Sequence, residues 1–109
     1  MRPDDGSTVL ERKPSLRKAA RWCVIFHNDD YTTKWFVIQV LEKFFRMDET
    51  TAAEFMLAVH RSGRGVAGMY PRDIAETKAT EVMDYAREWE MPLLVTAEPD
   101  DEPDDDDGR

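Results

Sequence analysis

The sequence contains little cysteine, no long apolar run and no excess of positive charge. Cys23 is the only cysteine among 109 residues, which excludes an intramolecular disulfide framework and a cysteine zinc site, and fits a reducing compartment. No apolar segment approaches the roughly 20 residues that span a bilayer, and the first residues lack the pattern of a signal peptide. We therefore expect a cytoplasmic protein that does not bind a membrane.

The charge of the chain is negative and unevenly distributed. Fifteen basic and 23 acidic residues give a net charge of −8, and such a chain repels phosphates, so nucleic acid is not an expected partner. Residues 1–20 carry five basic and three acidic groups, whereas residues 98–109 carry eight acidic groups and one basic group. All eleven aromatic residues lie between positions 21 and 97. We predict a flexible extension at 1–20, a core domain at 21–97 and a disordered acidic tail at 98–109.

The core segment contains patterns of three strands and three helices. Val37, Val40, Leu41 and Phe44 recur at helical spacing, and the last strand is an apolar run after Pro92. The element order β-α-α-β-α-β predicts a small α+β domain, with one face of a three-stranded sheet covered by three helices. The strands are expected at about 21–26, 65–70 and 93–97, and the helices at about 33–46, 48–62 and 72–89.

Two groups of residues have the chemistry of a binding site. The run Asn28-Asp29-Asp30 follows the first strand; it can simply shape a turn, or it can receive a cation such as a primary amine. Met56, Val59 and His60 share one face of the second helix. The histidine can lie at the edge of the core, or it can be a polar group at the rim of an apolar pocket.

Four segments of the chain form a recognisable combination. In order, they are Asn28-Asp29-Asp30-Tyr31-Thr32, Met56-Leu57-Ala58-Val59-His60, Ala75-Glu76-Thr77-Lys78 and Pro92-Leu93-Leu94. Together they resemble the ClpS adaptor family, the bacterial N-degron recognition proteins that serve a Clp AAA+ protease. The resemblance covers about residues 21–98. It implies a non-enzymatic, monomeric adaptor without a cofactor, which binds proteins that begin with a free Leu, Phe, Tyr or Trp. Its partner would be a ClpA-like ATPase with the ClpP peptidase.

The resemblance also implies roles for particular residues. The substrate's α-amino group would be held by Asn28, Asp29 and His60. Its first side chain would enter a pocket formed by Asp30, Thr32, Lys34, Val37, Met56, Val59 and Leu93. The unfoldase would dock at Asp73, Glu76 and Lys78. The extension at 1–20 would be engaged by the ATPase, and would be needed for delivery of cargo but not for its binding.

The sequence departs from the family pattern at three places. Lys34 stands where the family commonly has a methionine at the pocket mouth; its stem can line the mouth while its ammonium group points outward. That charge can also repel basic second residues or alter the first side chains accepted. Asp73 stands where a glutamate is usual, and the acidic tail extends beyond the usual end.

Two other interpretations of these residues differ in class. A metal-dependent hydrolase would use His27, Asp29, Asp30 and His60, although their spacing matches no known metal motif. A simple protein-interaction module would bind its partner on the third helix and would have no pocket for an amine.

Overall fold

A computed structural model of the chain describes residues 20–100. The rest of the predicted extension and the tail from residue 101 lie outside the described residues. The element order β-α-α-β-α-β is confirmed, and within residues 20–100 no helix is long and apolar enough to cross a membrane. The elements are β1 (Trp22–His27), α1 (Lys34–Phe45), α2 (Glu49–Ser62), β2 (Arg64–Tyr70), α3 (Arg72–Glu88) and β3 (Leu94–Pro99).

The three strands form one antiparallel sheet in the order β2-β1-β3. Successive side chains of a strand point to opposite faces. Val24 and Phe26 of the central strand therefore face the same side, where they join a buried core with all three helices. Cys23 and Ile25 are buried on the other face of β1. The predicted α+β domain with helices on one face of the sheet is thus confirmed.

Local interactions and backbone conformation fix the start of α1 and both ends of α2. The Thr33 side chain accepts the Phe36 N–H at 3.1 Å at the start of α1, and the Asp48 side chain accepts the Thr51 N–H at 2.8 Å at the start of α2. Gly63 ends α2 with φ of 96°, a left-handed conformation that glycine adopts without a steric penalty. These residues set the positions of the helix ends that surround the candidate site.

The predicted boundary of the acidic tail is wrong, because β3 extends two residues beyond it. Glu98 and Pro99 belong to β3, where they pair with Cys23 and Trp22, and the Asp100 N–H donates to the Arg21 carbonyl at 2.9 Å. Glu98 also accepts hydrogen bonds from Thr96 and Arg64. Because β1 continues past the last apolar residue of β3, the backbone pairing extends the strand into charged sequence.

Candidate functional site

A cavity of about 210 Å³ lies where the end of β1, the start of α1, helix α2 and the residue before β3 meet. All ten residues that the sequence analysis assigned to amine binding and to the side-chain pocket line this one cavity. Phe26 and His27 line it as well. Among residues 20–100, the lining is Phe26, His27, Asn28, Asp29, Asp30, Thr32, Lys34, Val37, Met56, Val59, His60 and Leu93.

Eight of the twelve lining residues form an apolar floor and a polar rim. The floor consists of four buried residues, and the rim consists of four exposed polar or charged residues. Ligand sites of roughly 300–1,000 Å³ hold whole small molecules, so a cavity of about 210 Å³ suits a single side chain. The floor is Phe26, Met56, Val59 and Leu93; the rim is Asn28, Asp30, Lys34 and His60.

Backbone pairing brings the Asn28 loop next to the end of α2. His27 pairs with Arg64 at the end of the β1–β2 ladder, and the Asn28 N–H donates to the Gly63 carbonyl at 2.9 Å. His60 lies about one turn before Gly63 on the face of α2 that also carries Met56. Two parts of the sequence far apart along the chain thus meet at the rim.

The Asp29 carboxylate organises the loop that carries the rim. Its Oδ1 accepts the N–H groups of Tyr31 and Thr32 at 2.7 Å each, and its Oδ2 accepts the Thr32 hydroxyl at 2.7 Å. Partial burial raises the pKa of this carboxyl, but the hydrogen bonds from Thr32 and Tyr31 outweigh burial and leave the pKa below its ordinary value. Asp29 is therefore ionised at neutral pH. A carboxylate has about four acceptor positions, so one remains for a further donor.

The rim offers other polar groups that the protein does not use. Within the described residues, the side chains of Asn28, His60 and Lys34 form no hydrogen bond or ion pair. The Asn28 amide oxygen, a ring nitrogen of His60 and the remaining position on Asp29 are acceptors on the lining of the same cavity. A primary ammonium group has three N–H donors and matches this set.

His27 is held by a different group of side chains. Its Nε2 lies 2.8 Å from the Thr96 hydroxyl, which itself donates to Glu98 at 2.9 Å, so the hydrogen-bond pattern assigns a proton to Nε2 of His27. Across residues 20–100, no three His, Cys, Asp or Glu side chains converge in a way that could hold a metal ion.

The residues assigned to unfoldase docking lie on different sides of α3. Asp73 and Glu76 line a shallow groove together with Thr77, Thr80 and Glu81. Lys78 instead donates from Nζ to the Phe44 carbonyl at 2.6 Å, with the ring centroid of Phe45 5.3 Å away. This carbonyl is near the end of α1, where helix carbonyls lack partners within the helix. Lys78 thus joins α3 to α1, and the structure does not bring it together with Asp73 and Glu76.

Gly65 packs closely against Val59 of the cavity floor, a role that the sequence analysis missed. A Cβ atom at this position would lie 2.9 Å from Cγ2 of Val59 and 3.1 Å from Cζ of Phe55. The predicted second strand begins at Gly65, but the sequence pattern assigned this glycine no role in the cavity. Its contact with Val59 depends on how α2 packs on β2, which no local pattern reveals.

Two comparisons with known proteins found a similar family and a similar fold. The family model described as ATP-dependent Clp protease adaptor protein ClpS matches residues 17–96 of the chain. The fold is also similar to the solved structure of Agrobacterium tumefaciens ClpS2 bound to L-phenylalaninamide, with a TM-score of 0.74 and 43% sequence identity. That match covers 76% of this chain and 100% of the Agrobacterium chain.

Proposed function

The chain belongs to the ClpS adaptor family, and from this membership we propose that it binds proteins with a free, bulky hydrophobic first residue and delivers them for degradation. The first residues in question are Leu, Phe, Tyr and Trp. The α-amino group is held by Asn28, Asp29 and His60, and the side chain enters the cavity. The adaptor makes and breaks no covalent bond. The receiving machine is a ClpA-like ATPase with the ClpP peptidase.

The division of the cavity into an apolar floor and an acceptor-rich rim is the observation that supports this proposal. Buried Phe26, Met56, Val59 and Leu93 provide a surface that favours an apolar side chain, and burial of a Leu or Phe contributes roughly 1.5–3 kcal/mol. Charge-assisted hydrogen bonds to an ammonium group add about 1.5–3 kcal/mol each. A ligand gains both contributions only if it carries an ammonium group next to an apolar side chain. The first residue of a polypeptide has both groups, whereas an internal residue lacks the α-ammonium group. The site therefore selects chain termini over internal residues.

The ligand of the Agrobacterium relative combines an amine with an apolar side chain. L-Phenylalaninamide carries a free amino group and a phenyl side chain, and its amide replaces the carboxylate that a free amino acid would have. It therefore resembles the first residue of a polypeptide. We extend this type of ligand to the present chain because the cavity provides an apolar floor and amine acceptors within one lining.

Delivery involves parts of the chain beyond the cavity. We place the contact with the unfoldase on the exposed surface of α3 that includes Asp73 and Glu76. Lys78 acts in this proposal by holding α3 against the end of α1, through its bond to Phe44. The extension at 1–20 is engaged by the ATPase. We further propose that the adaptor acts as a monomer in the cytoplasm.

A peptide panel that differs only in the first residue tests the binding proposal. We expect peptides beginning with Phe, Leu, Tyr or Trp to bind reversibly, and peptides beginning with Gly, Ser or Glu to bind at least about tenfold more weakly, because they lose the burial of an apolar side chain. Fluorescence anisotropy with a dye on the last residue measures the affinities. Equal affinity for all first residues would contradict the proposal and would favour the interaction module without an amine pocket.

Substitution of Gly65 is expected to narrow the cavity. The new Cβ of Gly65→Ala would displace Val59 toward the bound side chain, and overpacking of this kind costs about 1–3 kcal/mol. We expect affinity for Trp-initiated peptides to fall more than affinity for Leu-initiated peptides, as measured by the same titration. Gly68→Ala is the matched control, because its Cβ would meet the Tyr70 ring, outside the cavity lining. An equal loss for both peptides, or the same change in Gly68→Ala, would contradict the assigned role of Gly65.

A further inference from the structure

Lys34 brings an unused positive charge to the rim of the cavity. It is exposed, it lines the cavity, and within the described residues its ammonium group has no ion pair or hydrogen bond. Binding of an apolar side chain on the floor does not account for this charge, because such a side chain gains nothing from an ammonium group. A ligand group that pairs with Lys34 must therefore lie outside the floor, at the opening.

The position of Lys34 in its helix makes the charge unfavourable for the protein alone. Lys34 is the first residue of α1, and the first turn of that helix contains no acidic residue. The amino-terminal end of a helix carries partial positive charge, which disfavours a cation and favours an anion. Lys34 is therefore unfavourable for the stability of α1, and it lies at the rim of the proposed site. Residues that conflict with local stability in this way are found most often at functional sites.

The second residue of a bound chain lies at the opening of the cavity. Consecutive Cα atoms are about 3.8 Å apart, so a first residue that fills the cavity leaves its neighbour at the opening. Asp29, one of the proposed amine-binding groups, supplies negative charge to the lining, and so does Asp30, whereas Lys34 supplies positive charge. A bound chain therefore meets both signs of charge on one cavity lining.

We infer that Lys34 makes the adaptor select N-degrons by the charge of their second residue, with acidic residues favoured over basic ones. This inference rests on the proposed function and specifies its substrate class. A chain that begins with an ammonium group and continues with Asp or Glu offers a group to each sign of charge on the lining. A chain with Lys or Arg as its second residue brings a second cation to the opening that Lys34 lines. The negative charges of Asp29 and Asp30 oppose this preference.

The test compares Phe-Glu, Phe-Gln and Phe-Lys peptides that are otherwise identical. At low salt we expect Phe-Glu to bind roughly three- to twentyfold more tightly than Phe-Lys, from one attractive and one repulsive exposed pair. The ratio should fall toward one at about 1 M salt, where the Debye length is only about 3 Å and exposed charges farther apart than this are largely screened. Lys34→Arg should keep the ratio, and Lys34→Glu should reverse it. Lys43→Glu is the matched control for Lys34→Glu, because it reverses the same charge on the same helix away from the cavity, and it should leave the ratio unchanged.

The possible failures are distinguishable from one another. If all three peptides bind the wild type equally at low salt, or if Lys34→Glu does not change their order, the inference is wrong while the proposed function stands. If no Phe-initiated peptide binds, the proposed function fails and the inference fails with it. The salt dependence of the wild-type ratio requires no variant, so it remains informative if a substitution disturbs folding.

Discussion

Acetylation of the first residue of a Phe-initiated peptide is expected to reduce its affinity by about a hundredfold or more. The acetyl group removes the positive charge and two of the N–H donors that Asn28, Asp29 and His60 would accept. Two charge-assisted hydrogen bonds at the lower estimate of about 1.5 kcal/mol each already account for this factor. Titration of the free and acetylated forms by fluorescence anisotropy measures the ratio.

A peptide that begins with Gly and has a free amine is the matched control for the amine alone. We expect it to bind weakly too, because it leaves the apolar floor uncovered. If the acetylated peptide binds within about threefold of the free one, the rim does not recognise an ammonium group. The cavity would then bind apolar side chains regardless of their position in a chain.

Removal of residues 2–18 is expected to stop assisted degradation without changing peptide affinity. Among the described residues, which begin at Ala20, all those that line the cavity lie at or after Phe26, so the deletion leaves each of these lining residues in place. The proposed ATPase engagement of the extension, in contrast, is lost completely. The rate of degradation of a Phe-initiated substrate by the ATPase and peptidase, with full-length or shortened adaptor, measures the effect.

Two controls make the deletion interpretable. The Kd of the shortened protein for a Phe-initiated peptide should match that of the full chain within about twofold. A substrate that the ATPase recognises without the adaptor should be degraded at the same rate in both reactions. Equal degradation of the N-degron substrate with both forms of the adaptor would refute a role of the extension in delivery.

The fold was largely predictable because its elements carry strong local signals. The stripe from Val37 to Phe44 marks α1, and the cap at Asp48 and the glycine at 63 bound α2. The end of β3 was not predictable, since Glu98 and Pro99 are residue types typical of the tail that follows them. They extend the strand because β1 offers backbone partners, and strand pairing over long sequence distances leaves no local pattern.

The site was predictable only in part from the residues themselves. Spacing placed Met56, Val59 and His60 on one helical face, but nothing local joins His60 to Asn28. Their meeting depends on the bond from the Asn28 N–H to the Gly63 carbonyl, and only the family resemblance anticipated it. The resemblance did not separate Lys78 from the α3 groove, because the bond to Phe44 depends on the packing of two helices.

The structure also changes which variant tests the amine site most cleanly. Asp29 accepts three hydrogen bonds from its own loop, so Asp29→Ala would disturb that loop as well as any bound amine. The Asn28 side chain forms no bond within the described residues, and its link to Gly63 uses the backbone N–H. A loss of affinity in Asn28→Ala therefore reports on the ligand with less interference from folding.

A crystal structure of the protein with a Phe-initiated peptide tests the central claim most directly. The account predicts the α-amino nitrogen within about 3.2 Å of acceptors on Asn28, Asp29 and His60, with the phenyl ring between Met56 and Leu93. A peptide bound elsewhere on the surface, or one whose amino group points to solvent while an internal side chain fills the cavity, would contradict it.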